Sequence, residues 1–420
     1  MAARHEENTG ISHPTSVPSA QILVQPRPDR GTRITPRHMR DTGDVFGVYV
    51  HVPFCATRCG YCDFNTYTAG ELGSAASPRS WLDALKQELE LGVRRIGARP
   101  AETVFVGGGT PSLLGAGGLA EVLAAVRNSF GLAPGAEVTT ESNPESTSPA
   151  FFEGIRAAGY TRVSLGMQSA ARHVLRVLDR THTPGRPVAA ARQAREAGFE
   201  HVNLDLIYGT PGERPEDLRS SLESVLEAGV DHVSAYSLIV EDGTALARRV
   251  RRGELPAPEE DTLAEYYELI DAYLAKAGLS WYEVSNWAAS PGARCRHNLG
   301  YWRGGDWWGA GPGAHSHVGG VRWWNVKHPA KYASLLGAGE SPEAGREELT
   351  REDVHLERIM LELRLAEGLP LDALDAAGLA EASAVADEGL LDPAALDGGR
   401  AVLTDRGRLL ADAVVRRLAA

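Results

Sequence analysis

Cysteine is scarce in this chain, with four in 420 residues. That excludes a disulfide-stapled scaffold and fits a reducing compartment, so a cytoplasmic location is expected. Long apolar runs are also missing. No stretch reaches the roughly 18 residues of a membrane span, and residues 1–40 contain no apolar core of a secretory signal. Positive charge is not in excess: the formal net charge is −12, which argues against nucleic acid as a partner. What positive charge there is gathers early. Residues 1–40 carry six arginines against Glu6, Glu7 and Asp29, with five prolines and little periodicity. Residues 1–42 are therefore expected to be a disordered basic segment, more simply a solvated extension than a docking arm.

The few cysteines are not spread evenly. Three fall within eight residues, Cys55-Ala56-Thr57-Arg58-Cys59-Gly60-Tyr61-Cys62. An iron–sulfur cluster normally takes four thiolates, and a structural zinc takes four ligands in C-x2-4-C pairs. A C-x3-C-x2-C run without a neighbouring fourth ligand suits a cluster with one iron left open. The competing zinc reading needs Cys295, His51 or His297 as its fourth ligand, and all three are distant or awkwardly placed.

From residue 46 the pattern alternates between short apolar strands and helical periodicity. Strands are expected at 46–52, 103–106, 137–141, 162–167, 201–207 and 232–238. Helices are expected at 80–96, 118–130, 149–158, 186–197, 215–228 and 259–277. Six β–α units in series imply an α/β fold with a parallel sheet, open or closed into a barrel. Active sites in such folds gather at the C-terminal strand ends. Polar and glycine residues sit there: the cysteine loop, Gly107-Gly108-Gly109-Thr110-Pro111, Glu141, Gln168 and Asp205. Each has an ordinary structural reading too: a tight turn for the glycines, a solvated strand end for Glu141, an arginine-paired buried acid for Asp205.

The stretch Tyr49-Val50-His51-Val52-Pro53-Phe54-Cys55, followed by Cys59-Gly60-Tyr61-Cys62-Asp63-Phe64, resembles the cluster motif of radical S-adenosylmethionine (SAM) enzymes. More narrowly it is similar to the branch of oxygen-independent coproporphyrinogen III oxidase and the HemW haem chaperones. The resemblance implies a partial (β/α)6 barrel over residues 43–335. It also implies a 4Fe-4S cluster on Cys55, Cys59 and Cys62, with SAM on the open iron, where an electron from the cluster can cleave the sulfonium. Carried over motif by motif, the SAM contacts are Tyr49, Tyr61, Gly108, Gly109, Thr110, Glu141, Gln168, Arg180 and Asp205.

Two departures choose between the branches. The oxidase carries a further cysteine two residues after the third, where this chain has Phe64. The segment Arg296-His297-Asn298-Leu299-Gly300-Tyr301-Trp302 resembles the H-N-x-x-Y-W motif of the HemW branch, which implies haem near His297. Packing against the barrel is the alternative for that histidine, and His315, His317 and Cys295 are further candidate iron ligands. Residues 340–420 resemble the C-terminal domain of the same branch and are expected to be winged-helix-like. With 9 basic against 18 acidic residues there, a DNA-binding use is disfavoured.

The reading is therefore a haem chaperone that passes haem to an acceptor protein, itself compatible with a membrane location. A homodimer is compatible as well. Porphyrinogen oxidation is the alternative activity, and a tRNA-modifying radical enzyme would want a basic surface that this chain lacks.

Overall fold

The computed structural model describes residues 45–73 and 76–419; the segment expected to be disordered lies outside the described residues. Six parallel strands form the expected series: β1 (Phe46–Val52), β2 (Ala101–Gly108), β3 (Leu132–Ser142), β4 (Arg162–Gln168), β5 (His201–Tyr208) and β6 (His232–Ser237). Helices α1 (Pro78–Ile96), α2 (Gly115–Ser129), α3 (Pro149–Ala158), α4 (Arg186–Glu196) and α5 (Pro215–Ala228) connect or follow them, and α6 (Glu260–Lys276) packs beyond β6.

Local chemistry explains the helix limits. Ser77 caps α1 by accepting from the Ser80 amide, Pro78 opens the first turn, and Gly97 at φ 85° ends the helix. Ser148 and Pro149 do the same for α3, which Gly159 closes in the left-handed region.

The strands are buried on both faces, as parallel strands are. In β1, Phe46, Val48, Val50 and Val52 are fully buried in the layer beneath the helices. Gly47, Tyr49 and His51 alternate with them and face the barrel interior. That interior is polar. It is lined by Thr139, Glu141, Arg162, Ser164, Asn203, Asp205, His232 and Ser234, from alternate positions on four strands.

The sheet does not stop at six strands. Six more join it: β7 (Ser280–Glu283), β8 (Asn286–Ala288), β9 (Asp306–Ala310), β10 (His315–Val318), β11 (Val321–Asn325) and β12 (Glu343–Glu348). The order is β12-β11-β10-β9-β1-β2-β3-β4-β5-β6-β8-β7. β9 runs parallel to β1, and β10 to β12 form an antiparallel extension. The glycine-rich run at 309–317 is thus strand, tight turn and strand. Gly309 is required there, because a Cβ would lie 2.0 Å from the His315 carbonyl oxygen.

Helix α7 (Arg296–Trp302) closes the barrel at the N-terminal ends of the strands. The Glu137 carboxylate accepts from the Arg296 and His297 amides at 3.0 Å each, and Arg162 donates to the Ala293 carbonyl at 2.6 Å. At the opposite rim, Glu88 of α1 is buried and accepts from the Gly311 amide at 2.7 Å, from Asn325 at 2.6 Å and from the Tyr332 hydroxyl. Helix α8 (Pro329–Gly337), which carries Tyr332, packs on α1.

After β12 the chain leaves the sheet, so residues 343–348, read from sequence with the C-terminal piece, belong to the sheet instead. Helices α9 (Arg351–Glu362), α10 (Ala376–Asp387) and α11 (Ala411–Leu418), with the short ladder of β13 (Leu369–Pro370) and β14 (Arg400–Ala401), enclose a second core around Ile359, Leu363, Val385, Leu391 and Val414. This unit is fastened to the barrel by Arg408. Its guanidinium lies 4.6 Å over the Trp281 ring and 2.8 Å from Asp271.

Arg408 is 7 % exposed in its side chain, so its loss leaves Asp271 without its cation. Arg408→Ala is expected to cost about 3 kcal/mol and to speed proteolysis at the junction of the two units. Chemical denaturation and limited proteolysis check this; an unchanged midpoint would contradict it.

Candidate functional site

The cysteine loop leaves β1 and turns back over the barrel rim. A two-residue parallel ladder, Phe54–Cys55 with Tyr67–Thr68, closes its base. The Gly60 amide donates to the Leu178 carbonyl at 3.0 Å, and the Gly60 carbonyl accepts from the Leu246 amide at 2.8 Å. Tyr61 packs on the small apolar cluster of Val174, Leu178, Ile207, Leu238 and Leu246. The loop is thereby tied to the segments that follow β4 and β6.

All four cysteines are free thiols; Cys55, Cys59 and Cys62 are half-buried and Cys295 is buried. Burial raises the Cys55 thiol and pushes Cys62 up to about 11, with neighbouring thiolates adding to the effect at Cys62. Positive charge from a bound metal would offset that penalty at Cys55 and Cys62. Among the described residues no three His, Cys, Asp or Glu side chains converge as a single-ion site requires. A cluster of several irons puts each thiolate on a different iron, so the spread thiols fit a cluster better than zinc.

The loop after β2 lies against the cysteines. The Gly109 amide donates to the Val52 carbonyl and the Thr110 amide to the Phe54 carbonyl, both at 2.7 Å. A Cβ on Gly109 would sit 2.5 Å from the Phe54 oxygen and 3.0 Å from the Cys55 sulfur, so only glycine permits this approach. The Thr110 hydroxyl is 3.7 Å from the same sulfur.

Two acids and one cation face this rim from the barrel side. Glu141 accepts from the Gly108 amide at 3.0 Å. Its burial, with Asp205 nearby, pushes its carboxyl up to about 8. Although Arg180 lies within electrostatic reach, no arginine among the described residues forms an ion pair with Asp205. Ser164 donates to both its oxygens at 3.1 Å and Asn203 donates at 2.6 Å. Burial lifts it to about 6, held there by those donors. Arg180 approaches the Cys59 sulfur at 3.3 Å and His182 at 3.3 Å, and His182 reaches Gln168 at 3.3 Å. Burial, and then Arg180, push His182 down to about 4, so it is neutral. Gln168 adopts φ 62°, a strained conformation of the kind held at functional sites. Tyr49 stacks on Phe105 and its hydroxyl lies 3.0 Å from His51 Nδ1.

Gly109, Thr110 and Arg180 touch the cysteine sulfurs and Tyr61 stands between two of them, Glu141 is joined to the loop through Gly108 and Gln168 through His182, while Tyr49 and Asp205 lie in the barrel beneath. The structure does not bring His297 there. His297 sits at the far end of the barrel, 3 % exposed. Its Nδ1 is 2.8 Å from the Thr103 hydroxyl and its Nε2 is 2.8 Å from the Tyr301 hydroxyl. Burial pushes the imidazole down to about 3, and neither nitrogen is offered to a ligand. His182, Ser164 and Asn203 escaped the sequence reading. Ser164 and Asn203 lie inside β4 and β5 at positions that alternate with the buried apolar ones, and His182 lies in the segment after β4; position was their only signal.

Such an arrangement suits a ligand with both positive charge and a carboxylate: two acids and one guanidinium beside a thiol triad. Residues 49–225 match the Radical SAM superfamily, and residues 349–410 match the HemN C-terminal domain. The chain is 62 % identical to the Heme chaperone HemW of Mycobacterium tuberculosis over 376 residues, covering 90 % of this chain and 95 % of that one. It is 33 % identical to the Heme chaperone HemW of Bacillus subtilis over 76 % of this chain and 84 % of the relative. Among solved structures, coproporphyrinogen III oxidase (HemN) of Escherichia coli aligns with TM-score 0.76 over 90 % of each chain at 24 % identity, which speaks for the fold alone.

The raised acids set a pH dependence. Both are protonated at low pH, and a cationic ligand favours their ionised forms, so binding releases protons. SAM affinity is expected to rise with pH through about 6 to about 8 and to level off above. The gain is at most about tenfold per pH unit for each proton released. Glu141→Gln is expected to flatten the upper part of the curve. Equilibrium binding at several pH values checks this, and a flat wild-type profile would contradict it.

Proposed function

Because this chain belongs to the HemW family of heme chaperones, within the radical SAM superfamily, we propose that it binds haem and delivers it to an acceptor protein, with a SAM-bound 4Fe-4S cluster at the barrel rim. The 62 % identity across nine-tenths of the chain carries this reading. Cys55, Cys59 and Cys62 would hold the cluster. Gly108, Gly109, Thr110, Tyr49, Tyr61, Glu141, Gln168, Arg180 and Asp205 would hold SAM.

When bound, the cluster and SAM supply one-electron chemistry. The chain's own part is placement and shielding. Gly109 lets the loop after β2 lie against the cysteine loop. Glu141 and Asp205 receive positive charge and give up protons as they do so. Arg180, 3.3 Å from the Cys59 sulfur, would balance charge at the cluster and meet a carboxylate. Tyr61 and its apolar cluster keep water from the back of the loop.

Oxidation of a porphyrinogen is the less favoured reading. The position where the oxidase carries a fourth cysteine is Phe64, and that side chain is 60 % exposed. Work in the cytoplasm fits the four free thiols, and no helix of the described residues is long and apolar enough to cross a membrane. We read residues 1–42 as a basic tail, residues 43–348 as the barrel with its sheet extension and residues 349–420 as the C-terminal unit. The haem acceptor can be membrane-associated, and a second copy of the chain is a candidate partner.

The test is anaerobic reconstitution followed by haem titration and a porphyrinogen assay with reductant and SAM. The expected outcome is saturable haem binding by the Soret band, transfer to an apo-acceptor, and no protoporphyrinogen. Product formation without haem binding would reverse the assignment.

A further inference from the structure

The cysteine loop is held at its start by β1 and in its middle by Gly60, and its far end has a fastening of its own. Asn65 stands three residues beyond Cys62. Its side-chain amide donates to the Pro312 carbonyl at 2.9 Å and to the Lys327 carbonyl at 2.8 Å, and its Oδ1 accepts from the Tyr67 hydroxyl at 3.2 Å. Carbonyls only accept, so the amide has one orientation here, with both donor hydrogens used. The approach is close. A Cβ on Gly313, at φ 75°, would lie 2.7 Å from the amide nitrogen.

What Asn65 grips is itself fixed. Pro312 sits in the turn between β9 and β10, and Lys327 lies two residues after β11. On one side of Pro312, the Gly311 amide donates to Glu88 at 2.7 Å and the Gly311 carbonyl accepts from Asn325 at 2.9 Å. On the other side, the Gly313 amide donates to the Val326 carbonyl at 3.0 Å. Glu88 is 1 % exposed and also receives Asn325 and the Tyr332 hydroxyl. The turn therefore rests on α1 and α8 through a buried carboxyl group.

The backbone of Asn65 acts in the other direction. Its carbonyl lies 2.9 Å from His51 Nε2, and since a carbonyl cannot donate, Nε2 carries the proton. Burial lowers the pKa of this imidazole, so the ring is neutral and its Nδ1 is an acceptor. The Tyr49 hydroxyl, 3.0 Å away, then donates to Nδ1. Its oxygen is left with lone pairs alone to offer a ligand at the rim. The same ring packs against the glycine loop: a Cβ on Gly108 would lie 2.7 Å from His51 Nδ1. The Gly108 amide in turn holds Glu141.

We infer that Asn65 is a positioning residue for the cluster and for SAM: its side chain pins the far end of the cysteine loop to the sheet extension, and its carbonyl sets the tautomer of His51 and with it the hydroxyl of Tyr49. The inference rests on the cluster-and-SAM reading of the rim and deepens it. It also gives the antiparallel extension a task at the site.

The experiment uses the full chain, reconstituted anaerobically, in wild type, Asn65→Asp and Gly313→Ala. Asn65→Asp keeps the shape of the side chain but turns an oxygen toward two carbonyl oxygens. Gly313→Ala presses on the same amide from the other side and leaves the cysteine loop's own sequence untouched. Each is expected to weaken SAM binding by about tenfold, to change the electron paramagnetic resonance line shape of the reduced cluster with SAM, and to speed loss of iron to a chelator. Alkylation of Cys55, Cys59 and Cys62 in the apo-protein is expected to quicken, while the thermal midpoint of apo Asn65→Asp stays near wild type. Gly313→Ala, strained at positive φ, is expected to lose some stability as well. Wild-type SAM affinity and iron retention in both variants would overturn the inference and leave the cluster reading standing. Losses in Asn65→Asp that only track a matching fall in its midpoint would overturn it too, because a merely structural contact does that. A wild-type protein that holds no cluster would remove the reading on which the inference rests.

Discussion

The site depends on two strands continuing to hydrogen-bond after they have ceased to be strands. β1 and β2 pair in parallel up to Val52 and Gly108. Beyond that point the Gly109 and Thr110 amides still donate to the Val52 and Phe54 carbonyls. This continuation presses the glycine loop onto the cysteine loop, and Gly109 is the one residue type that tolerates it. The position of Cys55 relative to Glu141, which the Gly108 amide holds from the next strand, follows from that contact. A cofactor that must touch both a metal and an acid finds them held together by backbone rather than by mobile side chains.

The barrel interior explains why the acids can be poised. Alternate strand positions turn polar side chains inward while apolar ones support the helices. Asp205, Ser164 and Asn203 form one hydrogen-bonded group, and Asn203 continues it to His232 at 2.7 Å and His232 to Tyr282 at 2.8 Å. Removal from water raises the carboxyls, and the hydroxyl and amide donors limit the rise. The same polar core gives helix α7 a place to seat, with Glu137 at its N-terminus.

Much of this was legible in the residues. Phe46–Val52 and the five strands after it announced themselves as short apolar runs between helical patterns, and Pro149–Ala158 and Pro215–Ala228 were bounded by their own prolines and glycines. The cysteine spacing and the GGGTP turn pointed to the rim. The second half of the sheet was hidden. β7 to β12 are short, rich in Trp, Gly and His, and gain their stability from neighbours far along the chain, so periodicity alone says little. In the run at 309–317, Gly309 serves a strand contact rather than a turn, which composition alone does not distinguish. Periodicity also cannot say which end of a barrel a helix closes. The placement of His297 among buried partners, and of His315 in the open, had to come from the fold.

The central claim is an iron cluster on Cys55, Cys59 and Cys62 with one iron open to SAM. The most direct measurement is electron paramagnetic resonance of the reconstituted, reduced protein with and without SAM. The account predicts a 4Fe-4S signal whose shape changes when SAM is added, and no such signal when the three cysteines are replaced by alanine. A signal indifferent to SAM, or one that survives loss of the cysteines, would contradict it.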